Sequence, residues 1–187
     1  MEFLLDTANI EEIKTYSEII PLAGITSNPS IIKREGKINF FQHMKEIRSI
    51  IGQERSLHVQ VVARDFSGMM KDAQAILEHI DKDVYVKVPT NTEGLKVMQE
   101  LKKQGVNITA TAIYTKFQGY LAIAAGADYI APYYNRMENI NIDPQEAIKA
   151  MAKEIERTNS STKLLAASFK NVSQVNAACE CGAHAVT

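Results

Sequence analysis

The chain has 187 residues, 45% hydrophobic and 23% charged, enough for one sizeable core in a single domain spanning 1–187. Its net charge is -1, with Lys and Arg spread through helical stretches, so no basic stripe suggests nucleic acid, and no apolar run approaches a membrane span. Two cysteines, Cys179 and Cys181, make no disulfide framework, and Met1 to Asp6 carries neither a basic leader nor a cleavage pattern; a cytoplasmic protein is expected.

Short apolar runs alternate with longer amphipathic ones along the chain. Phe3–Asp6 reads as a strand, followed by a helix over Ile10–Ile20 with Asn9 as its cap. Ala23–Ser27 is the second strand, and a long connection through Asn28-Pro29-Ser30 leads to a helix over Phe40–Ile51. Strand Leu57–Val62 precedes helix Ser67–Ile80, and strand Val84–Val88 precedes helix Glu93–Lys103, closed by Gly105. Strand Ile108–Ile113 is followed by helix Lys116–Ala125, closed by Gly126; strand Tyr129–Tyr133 by a loop and helix Pro144–Arg157. Leu164–Ser168 is the seventh strand, Val172–Cys181 its helix, closed by Gly182, and His184–Thr187 the eighth strand.

Strands separated by helices, without hairpin turns, predict parallel pairing through right-handed crossovers. An α/β fold follows: a (β/α)8 TIM barrel fits best, and a doubly wound open sheet competes with it. Neither a Gly-x-Gly-x-x-Gly fingerprint nor a Walker loop occurs. The chain falls below the roughly 200 residues at the lower end for such barrels, and it stops on the eighth strand, so the last outer helix is missing.

Lys87 lies within the apolar run Val84-Tyr85-Val86-Lys87-Val88-Pro89, sharing one face with Tyr85 while the valines take the other. Lysine is rarely buried unless paired or used, and a low-dielectric setting favours the free amine, a nucleophile towards carbonyl carbon. An incidental lysine snorkelling from an edge strand is the plainer alternative. The same alternation applied to each strand puts one polar group near the C-terminal end of nearly every inward face: Asp6, Asn28, Gln60, Lys87, Thr111, Tyr133 and Ser168. In such barrels catalytic groups come from the C-terminal strand ends, so these side chains converge on one mouth and favour a Schiff-base enzyme. In the seventh strand this pairs Ser168 with Ala166 inside and sends Leu165 and Ala167 outwards.

In order along the chain, Leu5-Asp6-Thr7, Gly24-Ile25-Thr26-Ser27-Asn28-Pro29-Ser30, Val86-Lys87-Val88-Pro89, Thr111-Ala112-Ile113-Tyr114, Ala131-Pro132-Tyr133-Tyr134-Asn135-Arg136 and Leu165-Ala166-Ala167-Ser168-Phe169-Lys170 resemble the small transaldolase family, and within it the fructose-6-phosphate aldolases. The resemblance implies that Lys87 forms an imine with a dihydroxyacetone unit, oriented by Asp6. Tyr133 serves as acid/base partner through a water held by Gln60 and Thr111. Asn28 binds hydroxyls of the unit, Thr26, Ser27 and Ala131 belong to the substrate-binding set, and Arg136, Ser168 and Lys170 grip the phosphate of the aldehyde partner.

The resemblance also implies chemistry without metal or cofactor, since a protonated imine is itself the electron sink. The four histidines are scattered, and Cys179-x-Cys181 with His184 lacks a fourth ligand. Gln60 and Tyr133 stand where transaldolases of the family carry Glu and Phe, the aldolase-like choice, leaving transaldolase activity in the pentose phosphate route as runner-up and a turnover-less sugar-phosphate sensor as the non-enzymatic alternative. Sugar phosphates are the expected partners, with a homo-oligomer, pentameric or decameric. Relatives continue past the eighth strand with a helix and a C-terminal segment, so part of the outer wall near the first and eighth strands is expected to be bare.

Overall fold

Eight parallel strands close into a barrel in the computed structural model, which describes residues 1–187. The strands are β1 (Glu2–Asp6), β2 (Leu22–Thr26), β3 (Ser56–Gln60), β4 (Tyr85–Pro89), β5 (Ile108–Ile113), β6 (Tyr129–Pro132), β7 (Lys163–Ala166) and β8 (Ala185–Val186). Pairing of Glu2 with Ala185 and of Phe3 with Val186 joins the last strand to the first, so the open-sheet alternative is ruled out.

The wall helices are α1 (Ile10–Ile19), α2 (Pro29–Arg34), α3 (Phe40–Ile51), α4 (Phe66–His79), α5 (Thr92–Lys103), α6 (Lys116–Ala124), α7 (Tyr134–Asn139), α8 (Pro144–Arg157) and α9 (Val172–Glu180). None is long and apolar enough to cross a membrane. Asn9 accepts the Glu12 amide as the cap expected of it, and Gly105 and Gly126 end α5 and α6 in the left-handed region, at φ 75° and 80°. The two short helices were not foreseen. In α2 the Asn28 side chain accepts from the amides of Ser30 and Ile31, and Pro29 presets the first turn. In α7 no side chain caps the start; the amides of Tyr134 and Asn135 donate to the carbonyls of Ala167 and Ser168 instead. That helix borrows its cap from the end of another strand, so the local sequence gives no cap signal for it.

Outward valines and isoleucines, such as Ile25, Val59, Val86 and Ile130, are fully or almost fully buried against the helices in one large core. At the barrel's N-terminal end Leu4, Tyr129, Leu165 and Ala185 form a second small cluster, with Ala23 and Tyr85 packed against it. Above it His58 stacks on Tyr85 and hydrogen-bonds Thr109 Oγ1 at 2.7 Å and Ser56 Oγ at 2.8 Å. These side chains fill the middle of the barrel and separate its C-terminal mouth from the N-terminal end. Phe3, on the outer face of β1 beside β8, is 41% exposed.

The seventh strand corrects the alternation. Leu165 points inward to the small cluster while Leu164 and Ala166 join the outer core, the reverse of the expected assignment. Leu164 to Ala167 is apolar throughout, so period-two patterning has nothing to distinguish its faces; pairing of Leu165 with Ala185 decides it.

Candidate active site

The open end of the barrel holds a pocket of about 270 Å³. Asp6, Asn28, Gln60, Lys87, Tyr133, Arg136 and Ser168, drawn from the ends of six strands and from α7, all line it. A second pocket of about 380 Å³ opens beside it over α2 and α3, sharing Asn28 and Gln60 but otherwise mostly apolar.

Lys87 is 4% exposed, and its Nζ donates to the backbone carbonyl of Ser27 at 2.9 Å. Burial pushes the ammonium below its ordinary value of 10.5, and the negative charge of Asp6 draws it part of the way back. No ion pair within 4.0 Å joins the two groups, so the amine is influenced by the carboxylate without being neutralised in a contact pair. Directly beneath, His58 is fully buried; burial and the positive charges of Lys87 and Arg48 hold it well below the usual imidazole range, as a neutral ring that adds no charge under the amine.

Tyr133 follows β6, and its hydroxyl shares a 2.8 Å hydrogen bond with the buried Thr111 hydroxyl. Burial raises its proton affinity, while that bond and the Arg136 guanidinium, 4.9 Å from the ring centroid, oppose the rise. The phenol is thus the protonated form at neutral pH and is aimed by a fixed partner. Thr111 does not line the pocket; it reaches the site through Tyr133. Gln60 places a buried Oε1 there with no partner in the protein, an acceptor available to a ligand or water hydrogen. Asn28 spends its carboxamide oxygen on the cap of α2, which leaves its amide nitrogen as the group free to donate to a ligand hydroxyl.

Ser168 arrives by a route the alternation did not contain. Its φ of 65° turns the chain just past β7 and brings a residue of the wrong parity to the rim. The same device works in β5: the register shifts between Ala110 and Ile113, and Ala112 at φ 56° lines the pocket although alternation sends it outward. Tyr114, immediately after β5, was also not anticipated. Its ring sits edge-on to Tyr133 with centroids 5.7 Å apart, and its hydroxyl accepts from Arg136 Nη1 at 3.4 Å. Position just past a strand's C-terminal end is the signal that could have flagged it.

Four expected substrate contacts are not at the pocket surface. Thr26 is fully buried and gives its hydroxyl to Asp6 Oδ1 at 2.8 Å. Ser27 is 1% exposed and acts through its carbonyl on Lys87. Ala131, between Tyr129 and Tyr133 along the strand, is 2% exposed and does not line the pocket. Lys170 is exposed outside the lining, its amide used on Gln174 at the start of α9. Tyr134, adjacent to the site in sequence, is 2% exposed and packs against Phe169 in the outer core. No cluster of three or more His, Cys, Asp or Glu side chains is disposed to hold a metal ion.

The sequence as a whole is also similar to known proteins. Residues 3–187 match the family model described as transaldolase/fructose-6-phosphate aldolase. The chain belongs to that family. A probable fructose-6-phosphate aldolase of Streptococcus pneumoniae is 59% identical over the whole chain, which covers 84% of that protein. Probable transaldolases of Streptococcus pyogenes and a Thermoanaerobacter species are 38% and 34% identical, again over the whole chain, covering 86% and 85% of theirs. The transaldolase/fructose-6-phosphate aldolase family thus accounts for the fold and for the enzyme class, an aldolase-type carbon–carbon chemistry.

Proposed function

We propose that the chain is a class I aldolase that cleaves fructose 6-phosphate to dihydroxyacetone and glyceraldehyde 3-phosphate, or runs the addition in reverse. The observation carrying this is Lys87: an almost fully buried amine with a lowered proton affinity, in a pocket with a carboxylate and a phenol. The neutral amine attacks the ketose carbonyl and, with loss of water, gives a protonated imine. The bond between the third and fourth sugar carbons then breaks. Its electron pair moves towards the iminium nitrogen, forming an enamine, while the hydroxyl on the fourth carbon gives up its proton and becomes the aldehyde. Protonation of the enamine carbon and hydrolysis release dihydroxyacetone and regenerate Lys87.

In this reading Tyr133, held by Thr111, moves the protons, with Gln60 accepting from the water or hydroxyl involved. Asp6 orients the amine and the substrate hydroxyls, and Asn28 donates to them. Arg136, with Ser168 nearby on the rim, binds the phosphate, since a guanidinium offers several fixed donors to one. Ring-forming homo-oligomerisation belongs to the same reading and rests on the family resemblance. A cytoplasmic location is supported by two free thiols, Cys179 and Cys181, and by sugar-phosphate chemistry.

Transaldolase is the second reading, favoured by the names of the 34–38% identical relatives. Borohydride reduction in the presence of fructose 6-phosphate, followed by peptide mass spectrometry, tests the shared chemistry: a reduced adduct is expected on Lys87, and its absence counts against any Schiff-base enzyme. Cleavage measured without an acceptor aldose separates the two, because a requirement for erythrose 4-phosphate would sink the aldolase reading.

A further inference from the structure

Thr26 has a single hydroxyl proton, is fully buried, and stands between two groups: its Oγ1 lies 2.8 Å from Asp6 Oδ1 and 2.7 Å from Thr187 Oγ1. An ionised carboxylate only accepts, so the Thr26 proton is directed to Asp6. The Thr26 oxygen must then be the acceptor in its other bond, and the proton there belongs to Thr187. Both directions follow from valence, giving a relay from Thr187, just past β8, through Thr26 of β2 to Asp6 of β1. Neither hydroxyl lines the pocket.

We propose that Thr187 is a positioning residue for Asp6, acting through Thr26. This rests on the reading of Lys87 as the imine-forming amine and of Asp6 as the group that orients it. Asp6 itself is exposed at the open mouth, and the hydroxyl of Thr26 is the only side-chain donor bonded to its carboxylate. Without that donor the carboxylate is free to rotate in the solvent-filled mouth. Accepting a bond from Thr187 polarises the Thr26 hydroxyl, strengthens its donation and prevents it from turning away. One carboxylate oxygen is thereby pinned on the barrel wall, which leaves the other for the amine and the substrate. The backbone of Thr187 is fixed separately, by donation of its amide to the Ala166 carbonyl at 3.0 Å, so its hydroxyl can be removed without unpinning the strand.

The test uses the full-length protein and the variants Thr187→Val, Thr187→Ser, Thr26→Val and the Thr26→Val/Thr187→Val double variant. Thr187→Val keeps the side-chain shape and is expected to lower kcat for fructose 6-phosphate about threefold to tenfold, the range for one buried hydrogen bond. Thr187→Ser keeps the hydroxyl and is expected to stay within about twofold of the parent, by the same criterion. In the Thr26→Val background Thr187→Val should cost nothing more, because its path to Asp6 is already cut; a merely structural role would impose the same factor in both backgrounds. Equal factors in the two backgrounds, an unchanged kcat in Thr187→Val, or equal losses in the Ser and Val variants would each overturn the relay. Borohydride trapping on the parent keeps the premises apart: no adduct on Lys87 overturns the Schiff-base reading and the relay together, whereas an adduct accompanied by any of those kinetic results overturns the relay alone.

Discussion

Replacing Tyr133 by Phe removes one oxygen atom from the site and little else. The ring keeps its edge-on packing against Tyr114 and its place 4.9 Å beneath the Arg136 guanidinium, so the pocket keeps its shape. Two effects follow. Thr111, fully buried, loses the 2.8 Å partner of its hydroxyl, which costs about 1–2 kcal/mol for a buried polar group left unpaired. For a domain of this size that lowers Tm by roughly 2–8 °C. The larger effect is on turnover, because a positioned acid/base contributes about 10²–10⁴-fold. Retro-aldol cleavage, followed as glyceraldehyde 3-phosphate release, should fall by about 10²-fold or more. Borohydride trapping at Lys87 should survive, since the amine and its Ser27 contact are untouched. A Tyr133→Phe protein that cleaves fructose 6-phosphate within about threefold of the parent would refute the assignment of the phenol as proton carrier.

Two further perturbations probe the strand that carries the amine. Lys87→Met should abolish the adduct yet raise stability by about 1–3 kcal/mol, because an apolar chain of similar volume replaces a buried ammonium. The sign with pH is fixed: folding lowers the proton affinity of Lys87, so the unfolded chain binds that proton more tightly, and the penalty is full below the lowered value and fades as pH rises towards 10.5. The stabilisation by Lys87→Met, measured by denaturant titration, should therefore shrink with rising pH; growth with pH would contradict the buried-amine picture. Gly94→Ala should destabilise by about 1–3 kcal/mol and slow catalysis, since a Cβ there would sit 1.8 Å from the Pro89 carbonyl and push α5 off the end of β4. Thermal unfolding indistinguishable from the parent would show that this end of β4 yields without cost.

The inward placement of Lys87, Asp6, Gln60, Thr111 and Tyr133 was legible because each sits in or directly after a strand whose other face is plainly apolar, and period-two alternation then has one solution. The barrel class followed from the strand–helix rhythm, and Asn9 and the glycines that close the helices mark their own positions through local chemistry. Ser168 was placed at the mouth for a reason that proves incorrect: alternation puts it inside with Ala166, whereas it arrives by a left-handed turn after a strand of opposite parity. The wholly apolar run Leu164 to Ala167 could not reveal this.

What the sequence determined by itself is therefore whatever rests on neighbours along the chain: the periodicity, the caps, the residue types at strand ends. Tertiary structure decided which polar side chains line the mouth and which support another residue. The sequence puts Thr26 in the substrate-binding set, whereas closure of the barrel sets its hydroxyl between Asp6 and Thr187, 161 positions further on. A hydroxyl has one proton, and only the contacts created by closure determine where that proton goes.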